Sequence, residues 1–92
     1  MKREVTIEVD GVRNRFDFVG MKNGKIYLYE VKNGPYARPT KNQLINIPKL
    51  HESGASFIPI GKNASSIPEF NSFEMKRMPF TGDFEVVYIH YW

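Results

Sequence analysis

Two dipeptides, Asp10-Gly11 and Asn23-Gly24, constrain the fold of this chain most, because each favours the two-residue turn of a β-hairpin. Residues 5–9 and 12–18 alternate between apolar and polar side chains, and residues 25–32 are rich in β-branched and aromatic residues. Strands joined by such tight turns pair with their neighbours along the chain. The sequence therefore predicts an antiparallel meander of three strands.

A helix is predicted to begin at Thr40, because Thr40 and Gln43 have the spacing of a capping box. Its apolar stripe would consist of Leu44, Ile47 and Leu50. Pro48 has no backbone N–H to donate, so we expect it to kink or shorten the helix in its middle.

Two further strands are predicted, at 55–60 and 84–92, and the second has two largely apolar faces that favour a central position in the sheet. The polar segment 61–82 contains two prolines and is expected to be irregular. The predicted fold class is α/β (α+β), with a mixed β-sheet: an antiparallel three-strand meander, then a helix, then two further strands, in a single domain over 1–92. One helix covers only one face of such a sheet, so we expect either a preceding N-terminal helix that is missing here or a partner.

Composition narrows the possible chemistry. The chain has 92 residues and no cysteine, which excludes disulfides, thiolate metal sites and cysteine nucleophiles. The apolar runs are too short to predict a signal peptide or a membrane span. The formal net charge is +3, and between Val31 and His51 four cationic residues occur without any Asp or Glu. That segment fits either a solvated face or a contact surface for a polyanion.

The third strand carries charge at the end of its buried face. Ile26 and Leu28 mark that face, and Glu30 and Lys32 continue it. The turn between the second and third strands would bring Asp17 roughly opposite Glu30. Two carboxylates fit Mg²⁺, and a neighbouring lysine fits the orientation of a water or the neutralisation of charge on a phosphate. The same three side chains also fit a surface ion pair, and both interpretations stay open at this point.

The order of these motifs resembles the PD-(D/E)XK, or restriction-endonuclease-like, nuclease superfamily. More narrowly, it resembles the C-terminal nuclease domains of bacterial polymorphic and contact-dependent inhibition toxins. The likeness covers most of the chain and is carried by Glu-Val-Thr at 4–6, Arg-x-Arg-x-Asp at 13–17, Glu-Val-Lys at 30–32, Thr-x-Asn-Gln at 40–43, Gly-Ala at 54–55 and the closing strand.

The resemblance implies a restriction-endonuclease-like core and a metal-dependent endonuclease that hydrolyses phosphodiester bonds. The catalytic residues that it implies are Asp17, Glu30, Lys32, Gln43 and Glu4. Among these, Asp17 and Glu30 would hold Mg²⁺ or Mn²⁺ together with the Val31 carbonyl. Lys32 would be the catalytic lysine, and Glu4 an additional acidic residue. Gln43 would support the site from the helix, although it fits the capping box equally well.

The same resemblance implies partners. Nucleic acid would be held through its phosphates by Arg13, Arg15, Arg38 and Lys41. A toxin of this kind implies a cognate immunity protein and delivery by a bacterial toxin system, with action in the target-cell cytoplasm. DNA and tRNA stay open as substrates. Two other functions also stay open: a basic nucleic-acid-binding module without catalysis, and a protein-interaction domain whose last strand docks by edge pairing.

Overall fold

A computed structural model describes residues 2–34, 36 and 38–91. These residues form six strands in a mixed sheet and three helices, so the fold is of the mixed α+β class. None of the described helices is long and apolar enough to cross a bilayer. In chain order the elements are β1 (Lys2–Val9), β2 (Val12–Lys22), β3 (Lys25–Asn33), α1 (Lys41–Leu50), β4 (Ser56–Ile60), α2 (Gly61–Ser65), α3 (Pro68–Lys76), β5 (Phe80–Thr81) and β6 (Asp83–Tyr91).

The predicted three-strand meander is confirmed. β1 pairs antiparallel with β2, and β2 pairs antiparallel with β3. The two central residues of each turn have positive φ, at 50° and 81° for Asp10 and Gly11 and at 54° and 78° for Asn23 and Gly24. Gly, Asn and Asp adopt this region most readily, which is why these dipeptides select tight hairpin turns. The register of the meander therefore follows from local residues.

The other long strands add to opposite edges of the meander. β4 runs antiparallel beside β1, and β6 runs parallel beside β3, which gives the strand order β5-β4-β1-β2-β3-β6. The predicted central position of the last strand is wrong, because β6 ends that order. Its two apolar faces have different neighbours: Phe84 lies in the core, whereas Val87 lies beside Tyr29. Trp92, the last residue of the predicted strand, lies outside the described residues.

The predicted irregular segment 61–82 is also wrong, since it contains α2, α3 and β5. Between them, α2 and α3 contact β1 and β4 and contribute Ala64 and Phe70 to the core. Pro68 is well suited to begin α3, where no backbone N–H is required, and Lys76 complements the helix dipole in the last turn. The helices are short and mostly polar on their exposed sides, which hid them in the sequence. The prediction of a single helix is therefore wrong as well.

One hydrophobic core, with Phe57 of β4 in contact with several other rings, joins the sheet to the helices. The Phe57 ring centroid lies 5.4 Å from that of Phe70, 6.0 Å from Phe80 and 4.8 Å from Phe84. Tilted and edge-to-face aromatic contacts of this kind add to the stabilisation from apolar burial. Along the meander, the core includes Val5, Ile7, Val9, Phe16, Val19, Ile26 and Leu28.

Helix α1 turns a largely polar side toward the sheet, which corrects the predicted apolar stripe. Its buried residues are Gln43, Asn46 and Leu50, whereas Leu44 is 62% exposed. The predicted capping box is confirmed, because Thr40 and Gln43 exchange both side chain to backbone hydrogen bonds. The helix continues through Pro48 to Leu50, so the predicted shortening is wrong. Pro48 lies in the last turn, where the loss of one N–H breaks only one hydrogen bond of the helix.

Two Leu→Ala substitutions on α1 test which side of the helix faces the core. Leu50→Ala removes a fully buried side chain and should lower the free energy of unfolding by about 2–5 kcal/mol. Leu44→Ala changes an exposed side chain and should alter it by less than about 0.5 kcal/mol. Urea unfolding followed by circular dichroism measures both values. Equal losses in the two variants would contradict this orientation of α1.

Candidate functional site

The second and third strands of the meander diverge at one end. β2 and β3 are paired from Lys22↔Lys25 to Phe18↔Tyr29, and the pairing stops there. Beyond that point β2 stays paired with β1 as far as Val9↔Val12, while β3 stays paired with β6 as far as Asn33↔Tyr91. We call the diverging parts, residues 12–17 of β2 and 30–33 of β3, the strand fork.

Side chains form hydrogen bonds with backbone groups of both strands in the fork. Asp17 Oδ2 accepts a hydrogen bond of 2.7 Å from the backbone N–H of Val31. From α1, Asn42 Nδ2 donates to the Arg13 carbonyl at 2.7 Å, and Asn46 Nδ2 donates to the Val12 carbonyl at 2.9 Å. The two asparagine contacts hold α1 against this end of β2.

An open cleft of about 660 Å³ lies at the strand fork. We call it the fork cleft. It brings together Asp17, Glu30, Lys32 and Gln43 of the predicted catalytic group and Arg13, Arg15 and Lys41 of the predicted phosphate contacts. The other residues that line it are Thr6, Asn14, Thr40 and Asn42.

Three predicted residues lie beside the fork cleft and do not line it. Glu4 and Val31 line a neighbouring cavity of about 260 Å³, which they share with Asp17. Arg38 lines another cavity, of about 250 Å³, which it shares with Lys32. Both cavities thus meet the fork cleft through a residue of the predicted catalytic group.

Glu30 and Lys32 form a largely buried ion pair. Lys32 Nζ lies 3.1 Å from Glu30 Oε1, and Glu30 is only 7% exposed. The second carboxylate oxygen, Oε2, is buried and has no hydrogen-bond partner. A buried carboxylate oxygen without a partner is unfavourable, and its usual explanation is a catalytic role, a water or an ion. The alternative of a surface ion pair therefore does not describe Glu30.

The donor set of the fork cleft fits a divalent cation that also binds water and substrate. Asp17 uses Oδ2 for the bond to Val31, and its Oδ1 makes no hydrogen bond with the described residues. Asp17 Oδ1 and Glu30 Oε2 thus supply two carboxylate oxygens without partners. Within the described parts of the chain, no three or more His, Cys, Asp or Glu side chains are grouped so that they could hold a metal ion by themselves. Mg²⁺ commonly uses one or two carboxylates and completes its octahedron with waters and phosphate oxygens.

The amide group of Gln43 can fill both of its predicted roles together. Its Oε1 accepts the Thr40 backbone N–H at 2.9 Å, which completes the capping box. Gln43 is 2% exposed and lines the fork cleft, and its Nε2 makes no hydrogen bond with the described residues. The amide oxygen therefore caps α1, while the amide nitrogen stays available as a donor.

The predicted phosphate contacts differ in how far they are already neutralised. Arg13 pairs with Glu8 at 2.8 Å. Arg15 and Lys41 line the fork cleft and form no ion pair in the described part of the chain. Both residues are exposed to solvent, so they can bind an anion with little desolvation. Arg15 and Lys41 are therefore the stronger candidates.

The sequence interpretation missed a pair of buried amides, Asn14 and Asn46. Asn46 is fully buried and donates a 2.6 Å hydrogen bond to Asn14 Oδ1. Two signals in the sequence pointed to them. Asn14 shares the parity of Val12 and Phe16 on β2, and Asn46 follows Gln43 at helical spacing.

The negative charge of Glu30 contributes to the pKa of the Tyr88 phenol. The two residues are neighbours in the parallel register of β3 and β6. The pKa of the Tyr88 phenol is raised above its ordinary value, first by partial burial of this side chain, which is 39% exposed, and second by the negative charge of Glu30. Tyr88 therefore keeps its proton at neutral pH and stands beside Glu30 as an uncharged group.

Comparisons with known proteins supply no family for this chain. No protein-family model matches it, and searches among curated proteins and among solved structures find no match. The likeness to PD-(D/E)XK nucleases therefore stays a prediction from the sequence. A function is best inferred from the side chains of the fork cleft.

A pH titration of Glu30→Gln tests the electrostatic link to Tyr88. The substitution removes the negative charge, so the pKa of Tyr88 should fall from its raised value. It should stay above the ordinary tyrosine value, because burial is the larger cause. Ring-carbon chemical shifts of labelled tyrosine, followed against pH, measure the change. An unchanged or higher pKa in the variant would contradict the link.

Proposed function

We propose that this protein is a metal-dependent nuclease that hydrolyses phosphodiester bonds of nucleic acid in the fork cleft. The observation that carries the proposal is the buried, unpartnered Oε2 of Glu30 in a cleft that also contains Asp17 and Lys32. A structural ion pair would leave no reason for this oxygen to lack a partner. A cation bound there would satisfy it.

Asp17 and Glu30, with the carbonyl of Val31, would hold Mg²⁺ or Mn²⁺. When bound, such an ion polarises a phosphoryl oxygen and lowers the pKa of a bound water. The contact between Asp17 Oδ2 and the Val31 N–H supports this assignment, because it holds one carboxylate against the backbone between Glu30 and Lys32. These residues are thus fixed relative to one another before any ligand arrives.

Lys32 is proposed to position the attacking water. Its ammonium group is held at 3.1 Å from Glu30 and its side chain is mostly buried. A fixed positive charge at this place offsets the negative charge that develops as water adds to phosphorus. Hydrolysis of the bond then yields a phosphate monoester and a hydroxyl.

Arg15 and Lys41 are proposed to hold the phosphates that flank the scissile one. Both are unpaired within the described residues and line the same cleft as the carboxylates. Arg38, in the cavity shared with Lys32, would contact a further phosphate along the nucleic-acid strand. Arg13 would contribute less because Glu8 already neutralises it. Contacts to phosphates give affinity without sequence preference.

The finer proposals rest on the sequence resemblance. They are a restriction-endonuclease-like core and a role as the toxic domain of an interbacterial effector, which cleaves DNA or tRNA in the cytoplasm of the target cell. A mixed sheet in which β2 and β3 diverge next to two carboxylates supports the first of them. Glu4 would be an accessory acidic residue, since it shares a cavity with Asp17.

A second candidate function, protein binding by edge pairing, is favoured by the place of β6. This strand is the last in the sheet order, and its side away from β3 pairs with no described strand. Exposed strand edges readily accept another strand through backbone hydrogen bonds. The same edge is where an immunity protein would dock.

Cleavage assays with matched glutamate variants test the proposed chemistry. Plasmid DNA, total RNA and purified tRNA are each incubated with Mg²⁺ or Mn²⁺ and with EDTA. The protein should cleave at least one of them only with metal, and Glu30→Gln should lower the rate by at least about 100-fold. Glu85→Gln, which also removes an ion-paired carboxylate but outside the cleft, should keep the rate. Cleavage in EDTA, or full activity of Glu30→Gln with a native circular-dichroism spectrum, would contradict the proposal.

Salt dependence of binding tests the phosphate contacts. The logarithm of the association constant decreases linearly with the logarithm of the salt concentration. In EDTA, the magnitude of this slope should be smaller by roughly 0.7–0.9 in Arg15→Ala, and by the same amount in the separate variant Lys41→Ala, because each loses one phosphate contact. Lys76→Ala removes an exposed charge at the end of α3 and should leave the slope unchanged. Fluorescence anisotropy with a labelled substrate strand provides the data. Slopes that match the unmodified protein in both cleft variants would exclude these contacts.

A further inference from the structure

The orientation of the buried amide pair is fixed by the backbone. Asn46 Nδ2 donates both to the carbonyl of Val12, at 2.9 Å, and to Asn14 Oδ1, at 2.6 Å. A carbonyl can only accept, so the group that faces Val12 must be the amide nitrogen of Asn46. Asn14 must then turn its oxygen to Asn46. Its own nitrogen, Nδ2, consequently lies on the other side of the amide.

Asn14 Nδ2 is a buried donor without an acceptor. Asn14 is 8% exposed, its Nδ2 has no hydrogen-bond partner, and the residue lines the fork cleft. It lies in register with the fully buried Ile7, on a part of β2 where an apolar side chain would pack without penalty. An amide at such a position is unfavourable unless something supplies the missing acceptor. The protein therefore holds a donor ready for a ligand.

The surroundings of Asn14 indicate an anionic acceptor. Thr40, Lys41 and Asn42, at the N-terminal end of α1, line the same cleft, and the first turn of α1 has no acidic residue. The helix dipole is positive at this end. Arg15 and Lys41 add positive charge and form no ion pair with a described residue.

We propose that Asn14 Nδ2 donates a hydrogen bond to a non-bridging phosphate oxygen of the nucleic-acid backbone bound in the fork cleft. The identity of the ligand as nucleic acid rests on the proposed function, whereas the donor and its need for an anionic acceptor rest on the geometry. Asn14 thereby joins Arg15 and Lys41 as a contact to substrate in the cleft that also contains Asp17 and Glu30.

The first test uses the unmodified protein in EDTA and dimethyl phosphate, the simplest phosphodiester anion. Side-chain amide signals of asparagine are followed by ¹⁵N NMR, with sodium chloride at equal ionic strength as the reference. The Asn14 amide signals should move and saturate, while those of Asn23, in the distant hairpin turn, should not. An Asn14 amide that moves no more than that of Asn23 would overturn the inference.

The second test compares two Asn→Asp substitutions that change the net charge equally. Asn14→Asp keeps an oxygen for Asn46 and replaces the donor with a carboxylate oxygen of nearly the same shape. The dissociation constant for nucleic acid in EDTA should rise about tenfold or more. Asn23→Asp keeps a residue that suits the hairpin turn and should change it by less than about twofold. Equal affinities of the two variants, with thermal unfolding temperatures like that of the unmodified protein, would also overturn the inference.

The two proposals can fail separately. Metal-dependent cleavage by the unmodified protein together with an unmoved Asn14 amide overturns the role of Asn14 and leaves the nuclease proposal in place. A saturating shift of the Asn14 amide in a protein that cleaves no nucleic acid supports the anion contact and contradicts the nuclease.

Discussion

The hydrogen bond from the Val31 N–H to Asp17 Oδ2 occurs where β2 and β3 stop pairing, and the candidate site depends on it. Phe18 and Tyr29 form the last residue pair between β2 and β3. Beyond this pair, the side-chain carboxylate of Asp17 accepts the hydrogen bond from the Val31 N–H. A donor on β3 is thereby satisfied, an acidic side chain is held beside the backbone of the Glu-Val-Lys segment, and the two strands separate far enough to form a cleft.

The polar residues around this cleft lower the stability of the fold. Glu30 and Asn14 each have a buried polar atom without a partner, and α1 faces the sheet with Gln43 and Asn46 where apolar residues would be less costly. Burial of aromatic side chains elsewhere, around Phe57, offsets these losses. Such local departures from good packing are expected at functional sites and are rare in regions that only support the fold.

Structural features that are set by neighbouring residues could be predicted from the sequence, whereas features that are set by contacts between remote segments could not. The turn at Asn23-Gly24 sets the register that brings Asp17 and Glu30 to the same end of the meander, and the Thr40 cap sets the start of α1; both follow from neighbouring residues. The inward side of α1 did not follow, because Asn46 faces the sheet and donates to the carbonyl of Val12, on a strand that is remote in sequence. The edge position of β6 and the helices in 61–82 likewise result from contacts between remote segments.

The central claim is that Asp17 and Glu30 bind one divalent cation jointly. Diffraction from crystals grown with Mn²⁺, recorded at the manganese absorption edge, tests it directly. We expect one strong anomalous peak in the fork cleft, within direct coordination distance of a carboxylate oxygen from each residue. A well-ordered cleft without such a peak, or a peak that contacts neither carboxylate, would contradict it.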